Sequence, residues 1–378
     1  MNRFAQVSRV LATLFLLCTA AAGQVCAAVK PDSAPPIRHV FLIVLENKSF
    51  EGAFGPTSPA SYLAKTLPAR GALLQDYYAI GHWSLVNYIA MVSGQAPNPA
   101  TTRDCFSVSN FRLFKPALDL HGQALGVGCV YPTLVETLPG QLEKAGLSWK
   151  GYMEDFDEDA QRDKYGTCTQ QRIGHRDLTG FFAGPDGYDT AHDPFLYFHS
   201  ILDDQKGCAA HVVNLDQLTK DLRSEATTPN YLFIVPNLCH DGQDKDCGDG
   251  TPGGFAGMDG FLRKWVAAVT GSPAFRKDGL LIVTFAQSDG MTPAGYDACC
   301  DEKPLASNPL KPGLRGPGGG KVGAVALSPF IRPGTVSSVP YNHYSLLRTV
   351  EDIYGLPYLG YAGEPDLRSF GPDVFSRR

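Results

Sequence analysis

Runs of apolar residues alternate with amphipathic segments along most of this chain. The first run, His39 to Leu45 (HVFLIVL), is almost continuous and β-branched, which is typical of a strand buried on both faces of a parallel sheet. Similar runs predict further strands at 148–153, 231–235, 279–285 and 322–327. Helical periodicity predicts helices at 84–92, 134–144, 215–225, 257–270 and 344–354. This alternation predicts a three-layer α/β/α sandwich with a mostly parallel central sheet.

Three long segments do not follow either pattern. Residues 98–130, 154–210 and 286–320 are irregular and rich in Gly, Pro, Asp and Cys, and they are too long to be simple connections. Ligands of open α/β sheets bind outside the carboxyl ends of the strands, so we expect these segments to cover a site there. No break in composition divides the chain, and residues 28–378 are therefore predicted to form a single domain.

The N-terminus has the features of an export signal. Arg3 and Arg9 precede a short apolar run, Val10 to Ala22, and small residues follow at Val25 to Ala28. A membrane anchor is less favoured because the run is short. We therefore predict a signal peptide over residues 1–27 and a protein that is periplasmic or secreted.

Eight cysteines remain after this segment, and an even number in an exported chain favours disulfides over metal thiolates. Cys239 and Cys247 flank a short polar loop and are the first predicted pair. The adjacent Cys299 and Cys300 must either bond other cysteines or form a vicinal bridge. The eight residues are Cys105, Cys129, Cys168, Cys208, Cys239, Cys247, Cys299 and Cys300.

Charge and hydropathy exclude two classes of partner. The chain has 33 Lys and Arg against 38 Asp and Glu, a formal net charge of −5, and no basic run. Nucleic-acid binding requires a basic surface to neutralise phosphates, so we exclude that role. Beyond the N-terminus no apolar stretch approaches the roughly 20 residues that span a bilayer, which excludes stable membrane insertion.

Polar clusters follow four of the predicted strands or begin helices: Glu46–Asn47, Asn237–Asp241, Gln287–Asp289 and Asn342–His343. Carboxylate and amide oxygens bind hard cations, and imidazole suits borderline metals such as zinc. Any one cluster alone is ordinary turn or capping chemistry. Four such clusters favour a metal or phosphate site at one edge of the sheet.

Ser84 stands at the start of a predicted helix. A hydroxyl there lies beside backbone N–H groups and the positive end of the helix dipole, where a phosphoryl oxyanion is best stabilised. The alternative is an ordinary N-cap. Asn87, one turn later, could point its amide at the same oxyanion. His82 precedes the helix and is either a phosphate contact or a hydrogen-bonded loop histidine.

Several separate segments together resemble the bacterial phosphoesterase family, which includes secreted acid phosphatases and phospholipase C enzymes and belongs to the alkaline-phosphatase-like superfamily. The resemblance runs from about His39 to the C-terminus. The segments that carry it are IRHVFLIVLENKSFEGAFG, GHWSLVNYIAMVSG, AHDPFLYFHSI with the later CAAHVVNLDQL, YLFIVPNLCHDG, and SPFIRPGTVSSVPYNHYSLLRTVEDIYGLP.

The resemblance implies roles for individual residues. Glu46 and Asn47 resemble metal ligands, and Ser84 resembles a nucleophile that forms a phosphoryl-enzyme, with Asn87 holding a phosphoryl oxygen. A cation would offset the charge of the ester and lower the pKa of the attacking hydroxyl. The residues that resemble further phosphate or metal contacts are His192, Asn237, Asp241 and His343.

The chain departs from the family at three positions. Ala286 and Gln287 follow Thr284–Phe285 where the family usually has Asp and Glu, and Gln243 stands where a His is usual. These changes reduce the negative charge that would hold a divalent cation, whose identity the sequence does not specify. Asp289 and His240 are candidate replacements, which makes Gln287 and Asp289 the predicted ligands in this loop.

These features predict an exported phosphoric ester hydrolase that acts on a small phosphate ester through Ser84, with divalent-metal assistance. One alternative is a catalytically impaired relative that binds phosphate or phospholipid head groups. A second alternative is a phospholipase C. The sequence does not indicate the oligomeric state.

Overall fold

A computed structural model describes residues 35–159, 168, 173–179, 186–243, 246–290, 293–302 and 318–375. The predicted signal peptide, residues 1–27, lies outside the described residues. The assignment of 28–378 to one domain stays a prediction.

The strands of the described fold are β1 His39–Leu45, β2 Ala72–Leu74, β3 Tyr77–Tyr78, β4 Arg112–Leu113, β5 Gly126–Val127, β6 Trp149–Met153, β7 Val212–Asn214, β8 Tyr231–Val235, β9 Gly279–Phe285, β10 Ala324–Leu327, β11 Thr335–Ser337 and β12 Tyr341–Asn342. Eight of them form the central sheet, in the order β11-β2-β10-β9-β1-β8-β6-β7. Two short pairs, β12 with β3 and β4 with β5, lie outside it.

The strand β1 lies in the middle of the sheet and pairs in parallel with β8 on one side and β9 on the other. The pairs β6–β8, β6–β7 and β11–β2 are also parallel, whereas β10 is antiparallel to both β9 and β2. All residues of β1, β8 and β9 are buried. Successive side chains point to opposite faces, so both faces are covered and the predicted mostly parallel α/β sandwich is confirmed.

The α-helices of the described ranges are α1 Phe50–Phe54, α2 Leu67–Arg70, α3 Ser84–Ser93, α4 Leu138–Lys144, α5 His199–Leu202, α6 Gln205–His211, α7 Leu218–Asp221, α8 Gly254–Gly271, α9 Pro273–Asp278 and α10 His343–Tyr354. A π-helical turn, Tyr62–Thr66, leads into α2. Short 3-10 turns occur at Thr101–Arg103, Thr190–His192, Pro194–Tyr197, Leu215–Gln217, Pro293–Tyr296 and Gly360–Gly363. Among these helices, none combines the length and apolar character that a bilayer crossing requires.

Two predicted helices are shorter than their sequence patterns. The helix predicted at 134–144 begins only at Leu138, because Thr137 caps it by accepting from Gly140 N and Pro139 occupies its first turn. The helix predicted at 215–225 ends at Asp221, where the hydroxyls of Thr227 and Thr228 donate to the Asp221 carbonyl. Side-chain hydrogen bonds of this kind compete with continuation of a helix.

The eight predicted disulfide cysteines form four bridges: Cys105–Cys129, Cys168–Cys208, Cys239–Cys247 and Cys299–Cys300. The predicted local pair is therefore present. Of the two options for the adjacent cysteines, the structure has the vicinal bridge.

Removing the Cys105–Cys129 bridge is expected to destabilise the protein. The bridge joins residues 24 apart in sequence. Without it the unfolded chain gains conformational entropy, which stabilises the unfolded state by about 3 kcal/mol. Urea unfolding of Cys105→Ala/Cys129→Ala should show this loss in the free energy of unfolding. The matched Cys239→Ala/Cys247→Ala variant, with a separation of 8, should lose about 1 kcal/mol less. Equal stability of the first variant and wild type would contradict this account.

Candidate active site

The carboxyl ends of β1, β8 and β9 meet at one edge of the sheet. Backbone hydrogen bonds continue beyond the strands there, from Ala286 N to Leu45 O and from Glu46 N to Asp241 O. Asn47 turns the chain directly after β1 with a positive φ of 54°, a conformation that Asn tolerates better than most residues. Because these strands are adjacent and parallel, their polar end residues are brought together, as the sequence predicted.

A cavity of about 360 Å³ opens at this edge. Its lining includes Asn47, Ser84, His192, Gln287 and Asp289, and all three irregular segments contribute to its wall. The expectation that these segments cover the site is therefore confirmed. The acidic residues of the lining are Asp104, Asp177, Asp189 and Asp289.

Glu46 is completely buried next to Asn47 and does not itself line the cavity. Neither of its carboxylate oxygens has a hydrogen-bond partner among the described residues. Burial raises the pKa of Glu46 well above its usual range, and the nearby Asp241 and Asp104 carboxyls raise it further. The hydroxyls of Tyr88 and Ser84 lie near this carboxylate but outside hydrogen-bond geometry, and they offset only part of this rise in the pKa. An ionised Glu46 therefore lacks a compensating positive charge in the described structure.

His192 lies between two buried carboxyl groups. Its Nε2 is 3.5 Å from Glu46 Oε1, and its Nδ1 is 3.8 Å from Asp241 Oδ2. The imidazole stacks on Tyr88 with ring centroids 5.4 Å apart. Burial lowers the pKa of His192 to about 3, so the neutral ring does not balance the charge of either carboxylate. His192 lines the cavity, which agrees with its predicted place in the site.

Asp241 is completely buried and does not line the cavity. Its Oδ1 accepts from the backbone N–H of Gln243 at 2.7 Å, whereas its Oδ2 has no hydrogen-bond partner among the described residues. Burial raises the pKa of Asp241 well above its usual range, and Lys48 offsets part of that rise. Gln243, which stands where the family usually has a histidine, lines the cavity.

Gln287 connects the predicted ligand Asn47 to the predicted nucleophile. Its Nε2 donates to Asn47 Oδ1 at 2.9 Å and lies 3.4 Å from Ser84 Oγ. Its Oε1 is buried without a hydrogen-bond partner in the described part of the chain. Asn47, Ser84 and Gln287 therefore come together from three distant parts of the sequence.

Ser84 is the first residue of α3, and Trp83 takes the N-cap position instead. The backbone N–H groups at this helix start are not free, contrary to expectation. Asp104 Oδ1 accepts from Leu85 N at 2.9 Å, and the backbone of Ser84 also interacts with this carboxyl group. Burial raises the pKa of Asp104 to about 8 even though these N–H groups lower it. Asp104, which the sequence did not identify, thus caps the helix next to Ser84.

Asn87 holds the loop that precedes α3, and this corrects its predicted contact with a phosphoryl oxygen. Its Oδ1 accepts from the backbone N–H groups of Ile80 and Gly81. Its Nδ2 donates to the carbonyls of Gly81 and Trp83 at 2.8 and 3.0 Å. Both amide protons are used, so Asn87 has none to offer to a phosphate.

Asn237 and His240 are also engaged outside the cavity. Asn237 Oδ1 accepts from the backbone N–H groups of Cys239 and His240, and its Nδ2 donates to Asp155 at 2.7 Å. His240 Nδ1 lies 3.0 Å from a Glu154 oxygen, and this contact raises the pKa of His240. Neither side chain lines the cavity. The structure thus assigns both to the loop after β8 rather than to direct phosphate contact.

His343 is completely buried at the start of α10. Its Nδ1 lies 2.9 Å from the Tyr77 hydroxyl, and its Nε2 donates to the Ala286 carbonyl at 2.8 Å. Burial lowers the pKa of His343 to about 4, so it is neutral at neutral pH. His343 does not line the cavity, which corrects its predicted approach to phosphate; it fixes the chain just before Gln287 instead.

His82 and Asp289 do line the cavity. His82 Nε2 donates to the Gly295 carbonyl at 2.6 Å, in line with a hydrogen-bonded loop histidine. Asp289 Oδ2 accepts from Ser49 Oγ at 3.5 Å, close to the end of β1. The sequence did not single out three further acids of the lining, Asp104, Asp177 and Asp189, although its irregular segments were expected to cover the site.

The donor set at this edge of the sheet fits a hard cation. Within the described residues, the Glu46 carboxylate and the Gln287 Oε1 are buried without hydrogen-bond partners, and the Asn47 amide contacts Gln287. A tighter arrangement of ligand atoms among His, Cys, Asp and Glu occurs in the described ranges only at Cys239, His240 and Cys247. Two of those residues form a disulfide, so that group does not supply thiolate ligands.

Known proteins resemble this chain over most of its length. A probable acid phosphatase of Kluyveromyces lactis is 24% identical over 352 residues, covering 90% of this chain and 64% of that protein. A phosphate-repressible acid phosphatase of Penicillium chrysogenum is 25% identical over 318 residues, covering 84% and 59%. A phosphatidylinositol-3-phosphatase of Mycobacterium tuberculosis is 24% identical over 331 residues, covering 88% and 81%. This chain spans less than two thirds of the two fungal proteins.

Among solved structures, a protein of the alkaline phosphatase superfamily from Vibrio parahaemolyticus matches with a TM-score of 0.46 and 14% identity, covering 89% of this chain and 72% of that one. Residues 57–357 match the profile of the Phosphoesterase family. Since that match covers most of the sequence, the chain belongs to the Phosphoesterase family.

Proposed function

We propose that this protein hydrolyses small phosphoric esters through a Ser84 phosphoryl intermediate, with assistance from a divalent cation. The observation that supports the proposal is the environment of Ser84. Its hydroxyl stands at the start of a buried helix, lines the cavity, and lies 3.4 Å from the Gln287 amide and close to Glu46. Acid phosphatases among the similar proteins support this reaction class.

Glu46, Asn47, Gln287 and Asp289 would hold the cation. A bound cation would supply positive charge that offsets the phosphate and lowers the pKa of the Ser84 hydroxyl. None of the described residues hydrogen-bonds the Glu46 carboxylate, and this supports the assignment, because a buried carboxylate without a counter-charge is costly.

In the proposed reaction, Ser84 Oγ attacks the phosphorus and the bond from phosphorus to the ester oxygen breaks. The alcohol leaves with a proton, and water then hydrolyses the phosphoserine to free phosphate. Gln287 orients the Ser84 hydroxyl through its Nε2, and Asp104 fixes the first turn of α3 on which that hydroxyl stands.

One observation favours a second candidate, a phosphate or head-group binder with impaired catalysis. Ala286 carries no ligand group at the end of β9, and Gln287 is a neutral amide whose Nε2–H donates to Asn47 Oδ1. Neither residue supplies an anionic ligand for a cation. Export to the periplasm or the medium is part of the leading proposal and is supported by the four disulfides.

The proposed function predicts cation-stimulated turnover and a trapped intermediate. The purified protein should release phosphate from p-nitrophenyl phosphate and β-glycerophosphate with Zn²⁺, Mg²⁺, Mn²⁺ or Ca²⁺ added, and more slowly with EDTA. Acid quenching during turnover, followed by peptide mass spectrometry, should find phosphoserine at position 84. Phosphate binding without turnover or phosphoserine under any of these cations would favour the binding protein.

A further inference from the structure

Two pairs of aromatic rings line the cavity beside Ser84. Trp83 lies edge-on to Phe106, with ring centroids 5.6 Å apart and an interplanar angle of 87°. His82 lies 4.6 Å from Tyr296, centroid to centroid. All four residues line the cavity. Phe106 and Tyr296 belong to different irregular segments, so three separate parts of the chain bring rings to the nucleophile.

The backbone of Trp83 is strained. Its φ of 78° and ψ of 138° are uncommon for a bulky residue, and such conformations cost about 1 to 3 kcal/mol. The surrounding structure keeps Trp83 in this conformation, because Asn87 Nδ2 donates to the Trp83 carbonyl and also to the Gly81 carbonyl. A strained residue directly before a nucleophile points to a functional position for its side chain.

The second pair, His82 and Tyr296, is also held in place by the surrounding structure. His82 Nε2 donates to the Gly295 carbonyl, which ties the imidazole to the segment that carries Tyr296. Gly290 lies so close to this ring that a Cβ there would be 2.7 Å from His82 Cε1, and its φ of 64° also favours glycine. The loop after β9 therefore supports the ring from one side and restricts its movement.

We propose that the site selects phosphate esters whose leaving group is a planar aromatic ring. The inference rests on the proposed function for the location of the phosphate. An aromatic group can pack edge-to-face or offset-stacked on fixed rings, at little cost in ordering the protein. A polyol leaving group would lose hydration against the faces of the same rings without gaining hydrogen bonds from those faces.

Non-hydrolysable phosphonates separate this inference from turnover. Benzylphosphonate and cyclohexylmethylphosphonate carry the same phosphonate on rings of similar size, of which only the first is aromatic. Isothermal titration calorimetry of the full protein measures the affinity for each compound, and the ratio of the two affinities is the preference for the aromatic ring. The titrations contain the cation that supports the best turnover, or Mg²⁺ if no cation supports turnover. We expect benzylphosphonate to bind about 3- to 10-fold more tightly.

Two phenylalanines in one irregular segment provide a matched pair of variants. Phe106 is 36% exposed at the cavity, and Phe114 is 55% exposed but does not line it. Phe106→Leu should reduce the preference for benzylphosphonate to about 2-fold or less. Phe114→Leu should keep it. Trp83→Phe, which retains a ring, should keep more of the preference than Trp83→Leu.

Equal affinities for the two phosphonates in wild type, or no binding of either, would overturn the inference. So would an identical response of Phe106→Leu and Phe114→Leu. The proposed function would be contradicted by a different result, the absence of phosphoserine and of turnover. The phosphonate comparison can still be interpreted in that case, because binding of a phosphonate needs no bond cleavage.

Discussion

Ser84→Ala is expected to lower the turnover of phosphomonoesters by about 10³-fold or more. The variant removes the oxygen that would attack phosphorus, and the hydrogen bond from Gln287 that orients it. Phosphate release with added divalent cation should fall to the background rate, and the phosphorylated peptide should disappear. Affinity for inorganic phosphate should change much less, because the rest of the cavity remains.

The control is Ser93→Ala, which removes a buried hydroxyl from the other end of the same helix. Ser93 donates to the Ile89 carbonyl within α3 and does not line the cavity. The turnover of the Ser93→Ala variant should stay close to that of wild type. Ser288 is the other serine of the described lining. If Ser84→Ala retained wild-type turnover and Ser288→Ala lost it, the nucleophile would have been assigned to the wrong residue.

Glu46→Gln is expected to change activity and stability in opposite directions. Loss of this carboxylate should weaken cation binding by about 100-fold or more and reduce cation-stimulated turnover accordingly. The same change removes a buried carboxylate that has no hydrogen-bond partner among the described residues. In EDTA at neutral pH we therefore expect the variant to be more stable than wild type by about 1 to 3 kcal/mol.

The pH dependence of stability follows from the direction of the pKa shift. Burial raises the pKa of Glu46 in the folded protein above its value in the unfolded chain. The folded state therefore binds this proton more tightly, and its contribution to stability is full below the unfolded pKa. That contribution is lost as the pH rises through the folded pKa. Thermal unfolding in EDTA should show wild type losing stability from acid to neutral pH more steeply than Glu46→Gln.

Glu51→Gln is the matched control for charge. Glu51 is an exposed carboxylate in the first turn of α1, five residues after Glu46. Its replacement should leave cation stimulation unchanged and should not reproduce the gain in stability at neutral pH. A Glu46→Gln protein with full cation-stimulated turnover would refute the role of Glu46 as a ligand.

The central strands could be predicted from the sequence because their signal is local. Strands β1, β8 and β9 begin and end where their apolar runs do. A strand buried on both faces needs apolar residues at every position, whatever its neighbours are. The strand predicted at 322–327 begins later, at Ala324, because Gly323 has a φ of 74° that a strand does not use.

The grouping of Glu46, Asn47 and Gln287 was also predictable. Parallel strands have their carboxyl ends at the same edge, so polar residues that follow adjacent strands must lie close together. The short strands β2, β7 and β11 were not predicted, since three residues carry too little pattern to distinguish a strand from a loop.

The direction of each polar side chain was decided only by the tertiary structure. Asn87, Asn237 and His343 stand next to the site in sequence, yet their hydrogen bonds hold the surrounding backbone. The sequence shows that a residue carries an amide or imidazole group. It does not show whether that group faces a ligand or a buried carbonyl. Buried backbone groups need partners, and these side chains supply them.

The acidic wall of the cavity likewise depends on contacts between distant segments. Asp104 reaches the start of α3 from an irregular segment that the Cys105–Cys129 bridge closes, and Asp189 comes from another such segment. No local periodicity encodes where a long loop returns to the fold. The sequence thus determined the central strands, the helix that carries Ser84 and the residues at the strand ends, because these follow from local pattern and strand direction. The tertiary structure determined which polar groups face the cavity, because burial and long-range hydrogen bonding fix their orientation.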